Sequence, residues 1–453
     1  MAGLIISVSG LRGIVGETLT DEVAARFARA FSESLPAGAV VVSRDGRSHG
    51  PGLARAIQAS LVACGRTVID AGIAATPTLG VLVRHLAAAG GLQISASHNP
   101  PEYNGIKLFG TDGRVIGAEA GAAVKQRYET LTSETASGSA SRSFGAIRVA
   151  SDVHGPHLEK VLAQVDVEAI QQRKFKVLLD SNAGSGSLLG SRLLETLGCE
   201  VVMRGGAADG VFLHPPEPTA TNLKGIAAEV AGLGVDVGFC QDPDADRLAV
   251  IDEQGTYIGE EYTLALCLAD VLTRRRGPVV INCATSRMNE DIATKLGCKL
   301  LRSKVGEANV CDLMIAQQAV FGGEGSGGPI DPQVGYVRDS FVGMATILSA
   351  MATRRKTVSQ LVAEIPRYEI HKTQMQLPEG TLQKALDAVA RTLNDAKHDW
   401  SDGLRIDYAD RWLIVRGSNT EPMVRLIAEA KTLAAAVALC DEGRAAIEAA
   451  LGM

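Results

Sequence analysis

The chain has 453 residues, 46% hydrophobic and 21% charged, with a net charge of −6, which fits about three globular domains at ~150 residues each. The acidic balance and the lack of a Lys/Arg run exclude a general nucleic-acid or acidic-membrane binder, and no stretch approaches the ~18 apolar residues of a membrane span. Its eight cysteines are scattered without a CxxC pair, which argues against a zinc cluster or disulfide framework; with an N-terminus unlike a signal peptide, they point to a cytoplasmic protein with reduced thiols.

Three segments share one plan in chain order: a short apolar strand, a polar turn, a helix, and a strand entered through Gly and Cys. They are "AVVVSRDGRS…LVACGRTVIDAG" (about 39–72), "FKVLLDSNAGSG…LLETLGCEVVMRG" (about 175–205) and "GPVVINCATSR…IATKLGCKLLRS" (about 277–303). Short apolar strands alternating with helical patterns predict βαβ units and mainly parallel sheets, hence three related α/β domains. From 368 onward the order becomes strand, helix, strands, helix, which predicts a smaller α+β domain. The expected divisions are 1–150, 151–262, 263–366 and 367–453. The Ser/Gly/Ala-rich segment 132–143 reads as a flexible surface loop near the first of them.

Four polar islands interrupt this pattern. The first, "SASHNPPEYNGIKLF" (95–109), follows a predicted strand. Its paired prolines forbid a helix start and Asn104-Gly105 signals a turn. Ser97 therefore sits on a constrained loop, with His98 and Lys107 nearby. It reads as a nucleophile or as a turn residue, although it lacks the flanking glycines of a hydrolase elbow.

The second island, "DPDADRLAVIDE" (242–253), alternates Asp242, Asp244 and Asp246. Oxygen ligands in this pattern suit Mg²⁺ or Ca²⁺. An EF-hand is excluded because Arg247 replaces the required glycine and a strand follows. Arg247 beside the acids suits a phosphate.

The third, "GGEGSGG" (322–328), places Glu324 and Ser326 between glycines, where a ligand could approach the backbone; no GK[ST] follows, so it is not a Walker loop. The fourth, "RGSNTEPMVR" (416–425), offers Arg416, Ser418, Asn419 and Thr420 to an anion. Pro422 then predicts a helix start with Arg425 one turn in. The segment "NAGSGSLLG" (182–190) lacks the third glycine of a dinucleotide fingerprint and reads as a tight strand-to-helix turn.

Taken in order, the four islands resemble the α-D-phosphohexomutase superfamily over nearly the whole chain: "SASHNP" its phosphoserine loop, "DPDADR" its metal loop, "GEGSGG" its sugar loop and "RGSNTEP" its phosphate loop. Weaker echoes are "SGLRGIVGE" (9–17), "SRDGRSHG" (43–50), "PPEPTATNL" (215–223) and "SKVGEANV" (303–310). The resemblance implies four domains around a central cleft, each lending one island. It implies a phosphorylated Ser97, Mg²⁺ held by Asp242, Asp244, Asp246 and the phosphoserine, and a sugar bisphosphate as activator and intermediate. Arg12, His98, Lys107 and Arg247 would line the reacting phosphate, with Lys107 the first choice for proton transfer and His98 the alternative.

Glu324 and Ser326 would hold ring hydroxyls, while Arg416, Ser418, Asn419, Thr420 and Arg425 would hold the distal phosphate. One departure stands out: many members end the sugar loop in His, and this chain has Gly328.

The motifs look most like the phosphoglucosamine mutase branch, which implies glucosamine 6-phosphate conversion to the 1-phosphate. Gly306 and Glu307 belong to the expected sugar site, with Glu307 meeting a 2-ammonium group. Phosphomannomutase/phosphoglucomutase is the close competitor. A phosphatase would not need the sugar and distal-phosphate loops, and a non-catalytic sensor would not need Ser97, the three Asp residues and Lys107. The expected partner is a small hexose phosphate, with no nucleic acid or membrane; the oligomeric state is open.

Overall fold

The computed structural model describes residues 3–7, 10–131, 144–417 and 423–453. The predicted loop 132–143 and the site residues Ser418, Asn419 and Thr420 lie outside the described residues.

Each predicted repeat is a parallel strand–helix–strand unit. Val40–Arg44 pairs with Val68–Ile73, Lys176–Asp180 with Glu200–Arg204, and Val279–Asn282 with Leu300–Ser303. The first strand of each unit is an apolar run buried on both faces, as the inner strands of parallel sheets require. The sheets have seven, four and four strands. They are mixed because Gly10–Ile14, Tyr103–Phe109, Leu248–Ile251 and Gly328–Ile330 join antiparallel. The fourth sheet has five strands, all antiparallel, with helices Leu382–Thr392 and Leu433–Leu451 packed together on it.

The apolar core is continuous across the second and third sheets, joining Leu179, Phe239 and Leu268 to Phe341 and Leu348. The helix Ser340–Arg354 is buried along nearly its whole length. The helix Glu260–Arg274 spans the expected division between residues 262 and 263. The fourth domain keeps its own core and meets the third through Cys283, Trp412 and Ile414. One polar link ties the first three domains: buried His157 bonds Thr78 Oγ1 at 2.9 Å and Asp339 Oδ2 at 2.7 Å.

Two local expectations are overturned. Asn104-Gly105 is not a turn; it lies inside the strand Tyr103–Phe109, paired to Gly13 and Arg12. A Cβ on Gly105 would lie 2.7 Å from the Leu11 and Ser95 carbonyls, so close backbone approach explains the glycine. Likewise, no helix begins after the fourth island. Met423–Ala430 is a strand, because its buried residues alternate and it pairs with neighbours on both sides. Arg425 is thus a strand residue.

Candidate active site

Ser97 follows the buried strand Gly90–Ile94 and adopts φ 50°, a left-handed conformation rare for a residue with a Cβ. Such a conformation costs roughly 1–2 kcal/mol and persists where the surroundings over-determine it. Here they do. The Ser97 amide donates to Ser95 Oγ at 2.9 Å, and its carbonyl accepts from Arg47 Nη2 at 2.7 Å. Its hydroxyl donates to Asp242 Oδ2 at 2.7 Å.

Asp242, Asp244 and Asp246 occupy the turn between strands Val237–Gln241 and Leu248–Ile251, and all three are 0% exposed. Three domains pin that turn. Thr76 of the first donates its amide to the Asp244 carbonyl at 2.9 Å. In the third, Ser340 Oγ donates to the Ala245 carbonyl at 2.7 Å, and the Gly327 carbonyl accepts from Leu248. The turn 182–185 buttresses it from within the second domain, with Ser185 N donating to the Pro243 carbonyl at 2.8 Å.

Ligand atoms of the three carboxylates lie within 4.8 Å of one another. Such crowding requires cations or protons. Burial, with Asp246 and Asp244 as like charges, raises the Asp242 carboxyl well above the usual range. Burial and Asp246 also oppose ionisation of Asp244, yet Lys107 outweighs them and holds that carboxyl low. For Asp246 burial is outweighed by Arg338 and Lys107, again holding it below the usual range. Lys107 Nζ stands 2.6 Å from Asp244 Oδ2 and 2.9 Å from Asp246 Oδ2. Burial opposes its charge, but these two carboxylates keep it an ammonium.

Among the described residues, Asp244 Oδ1 and Asp246 Oδ1 are buried and accept no hydrogen bond. Two orphaned carboxylate oxygens, an all-oxygen donor set and the adjacent Ser97 hydroxyl fit a hard divalent cation.

His98 is pushed down to about 3 by burial, Arg247 and Arg12, so it is neutral near pH 7. Its Nδ1 lies 3.5 Å from Glu217, in the 215–223 segment. Arg12, on the strand Gly10–Ile14, donates to Asn99 Oδ1 at 2.6 Å and so faces the Ser97 loop.

The sugar loop is a tight hairpin in which Glu324 pairs with Gly328. Glu324 Oε1 accepts from Asn282 Nδ2 at 2.8 Å and from Gly306 N at 3.1 Å. Gly306 thereby orients Glu324. Glu307 engages Arg338 with both oxygens, Oε1 3.0 Å from the amide and Oε2 3.3 Å from Nε. A Cβ on Gly325 would meet the Glu261 carboxylate at 2.1 Å, so a side chain there requires Glu261 to move.

Arg416 and Arg425 face each other across adjacent antiparallel strands. Like charges directly opposite are unfavourable, and an anion between them relieves the cost. Both line a cavity of about 750 Å³ together with Arg247, Glu261, Glu324, Ser326, Arg338 and Lys372. That volume suits a small ligand.

Sequence reasoning missed Arg47, Arg338, Lys372 and Glu261. Arg47 lies in the noted "SRDGRSHG" echo, and Lys372 in a strand of alternating polarity; Arg338 and Glu261 carry no local signal.

Four family models match in order: phosphoglucomutase/phosphomannomutase alpha/beta/alpha domain I over residues 4–135, domain II over 155–255, domain III over 260–368, and the C-terminal domain over 374–446. A phosphoglucomutase/phosphomannomutase of Thermococcus kodakarensis is 39% identical, with 95% of each chain covered. A phosphoglucosamine/phosphogalactosamine mutase of Sulfurisphaera tokodaii is 30% identical, covering 98% of this chain and 99% of the relative. The crystal structure of a family protein from Burkholderia thailandensis superposes with a TM-score of 0.85 at 29% identity, covering 98% of this chain and 97% of that one. With the phosphoserine-type loop, the carboxylate cluster and the arginine-lined cavity assembled on one scaffold, the chain belongs to the phosphoglucomutase/phosphomannomutase family and is a phosphohexose mutase.

Proposed function

We propose that the protein moves a phosphoryl group between O6 and O1 of a hexose phosphate through phosphorylated Ser97 and a hexose bisphosphate. The observation that carries this reading is the strained Ser97, whose hydroxyl donates to Asp242 of the carboxylate cluster at 2.7 Å. A serine so placed can carry a phosphoryl group. The phosphoserine P–O bond breaks as a bond forms to the free sugar hydroxyl; the Lys107 ammonium gives a proton to the departing Ser97 Oγ and takes up the proton that the hydroxyl sheds, and the return transfer runs the same exchange backwards. The bisphosphate then turns end over end and returns its other phosphoryl group to Ser97.

Asp242, Asp244, Asp246 and the phosphoserine would hold Mg²⁺, which supplies charge neutralisation to the migrating phosphoryl group. Arg12, Arg247 and neutral His98 surround the reacting phosphate. Arg416 and Arg425, with Ser418, Asn419 and Thr420, bind the distal phosphate, while Glu324 and Ser326 bind ring hydroxyls in either orientation.

The substrate favoured is glucosamine 6-phosphate. Glu324 places a carboxylate on the cavity wall, where a 2-ammonium group is electrostatically welcome. The second reading, glucose and mannose phosphates, is favoured by the name of the 39%-identical relative. The eight free thiols suit a reducing, cytoplasmic setting.

The test is turnover of glucosamine, glucose and mannose 6-phosphates with Mg²⁺ and catalytic hexose bisphosphate. Wild type and Ser97→Ala are compared, and intact-mass analysis reads phosphoserine. Unchanged isomerisation by Ser97→Ala would sink the phosphoserine route. Release of inorganic phosphate without isomerisation would make the protein a hydrolase.

A further inference from the structure

Gly328 closes the hairpin that carries Glu324. The space beside it is filled. A Cβ built on Gly328 would stand 2.4 Å from Arg338 Cδ, 2.8 Å from Cγ and 3.1 Å from Cβ. These atoms are the root and middle of the arginine, not its mobile end. A side chain at 328 and Arg338 in its present place therefore exclude each other.

The root of Arg338 is fixed. Asp339 N donates to the Pro329 carbonyl at 2.8 Å, and the Asp339 carboxylate caps the helix Ser340–Arg354. From there the guanidinium spans three anions. Nη2 donates to Asp246 Oδ2 at 2.7 Å, Nη1 stands 3.2 Å from Glu324 Oε2, and Nε donates to Glu307 Oε2 at 3.3 Å. The side chain is 10% exposed and forms part of the cavity wall. A planar fork of five N–H donors can serve three carboxylates from separate loops; an ammonium cannot do so in the same geometry. Glu324 is thus held on one oxygen by Asn282 and Gly306 and on the other by Arg338.

We propose that Arg338 is a positioning residue of the mutase, fixing the sugar carboxylate Glu324 against the metal-loop carboxylate Asp246, and that Gly328 is required to admit it. The inference rests on the sugar-site reading of Glu324. It makes positions 328 and 338 interdependent: what one gains in side chain, the other must give up. Its consequence is kinetic, because Glu324 must meet the ring in both orientations of the bisphosphate while the phosphoryl group stays at the metal loop.

The test uses the full chain and whichever hexose phosphate wild type turns over. Arg338→Lys keeps a charge in the buried cluster and is expected to lower kcat/KM at least tenfold with a melting temperature close to wild type. Arg338→Ala should be impaired further. Gly328→Ala should cost at least tenfold in wild type but less than twofold in an Arg338→Ala background, since the clash is then gone. Wild-type kcat/KM in Arg338→Lys would overturn the positioning role. Independent, multiplicative effects of Gly328→Ala and Arg338→Ala would overturn the pairing. Each variant is also incubated with hexose bisphosphate and its Ser97 phosphorylation read by mass. Phosphorylation retained in the slowed Arg338 variants supports the proposal, whereas a fully active Ser97→Ala protein would count against the phosphoserine route instead.

Discussion

Arg47 Nη2 donates to the carbonyl of Ser97 at 2.7 Å across 50 residues of sequence. The same guanidinium also donates to the carbonyls of Asn99 at 2.5 Å, Pro100 at 2.7 Å and Tyr103 at 3.0 Å, while its Nε pairs with Asp45 at 3.2 Å. One buried side chain thus organises the whole loop 97–103 and holds Ser97 in its left-handed conformation. Replacing Arg47 with Met strips four carbonyls of a donor and leaves Asp45 buried and unpaired. Breaking such a pair costs about 3–5 kcal/mol, which denaturant unfolding should show. Arg47→Lys should retain part of that stability yet lose at least tenfold in kcat. Equal activity of Arg47→Lys and wild type would mean that the loop does not depend on the fan of hydrogen bonds.

The facing pair Arg416 and Arg425 makes an opposite-signed prediction for stability and binding. Arg425→Gln removes one charge from a repulsive pair, so the melting temperature of the ligand-free protein should hold or rise. The KM for the hexose phosphate should rise by about 10- to 100-fold, the loss of a charged hydrogen bond at roughly 1.5–3 kcal/mol. A fallen melting temperature with unchanged KM would remove Arg425 from the phosphate site.

Glu261 gives a pH dependence. Burial pushes its carboxyl up to about 8, against the pull of the Ser286 N–H at 2.9 Å and of Lys372. A folded pKa raised above the unfolded value of 4.5 stabilises the fold fully below pH 4.5. That contribution declines as pH rises through the window and is lost above about 8. Relative to Glu261→Gln, wild type should therefore lose stability steadily across this window. Parallel stability curves for the two proteins between those limits would refute the assignment.

His157 bonds Thr78 of the first domain and Asp339 of the third from its place in the helix Gly155–Leu162. His157→Ala removes both contacts at a site with 0% exposure. Unfolding free energy should fall by about 2–4 kcal/mol, from lost hydrogen bonds and a cavity. At a temperature where the variant stays folded, kcat should change less than threefold, because His157 touches none of the catalytic groups. A large kcat loss in the folded variant would show that domain alignment there controls the chemistry.

The four islands were legible because each packs its chemistry into a few adjacent residues. Asp242, Asp244 and Asp246 alternate along one turn, so local backbone geometry alone brings their carboxylates together. The threefold strand–helix–strand plan was equally legible from apolar runs and Gly-Cys entries. Local signals failed where tertiary pairing overrode them. Asn104-Gly105 carries a strong turn pattern, yet the sheet claims it, and the turn forms earlier. Pro422 suits a helix start, yet the alternation in "MVRLIAEA" fits the centre of the fourth sheet.

Chain order and residue type decided the family and the carboxylate cluster, since these depend on contacts within a handful of positions. Packing between domains decided the rest. The partners of Arg47 and Arg338 are remote in sequence, 50 to 53 residues away for the Ser97 and Pro100 carbonyls and 92 away for Asp246. The same packing made Glu307 a partner of Arg338 and made Gly328 a matter of space. Hydrogen bonds and steric exclusion act over a few ångströms, so which distant side chains share that space is set only when the sheets and helices close around one cavity.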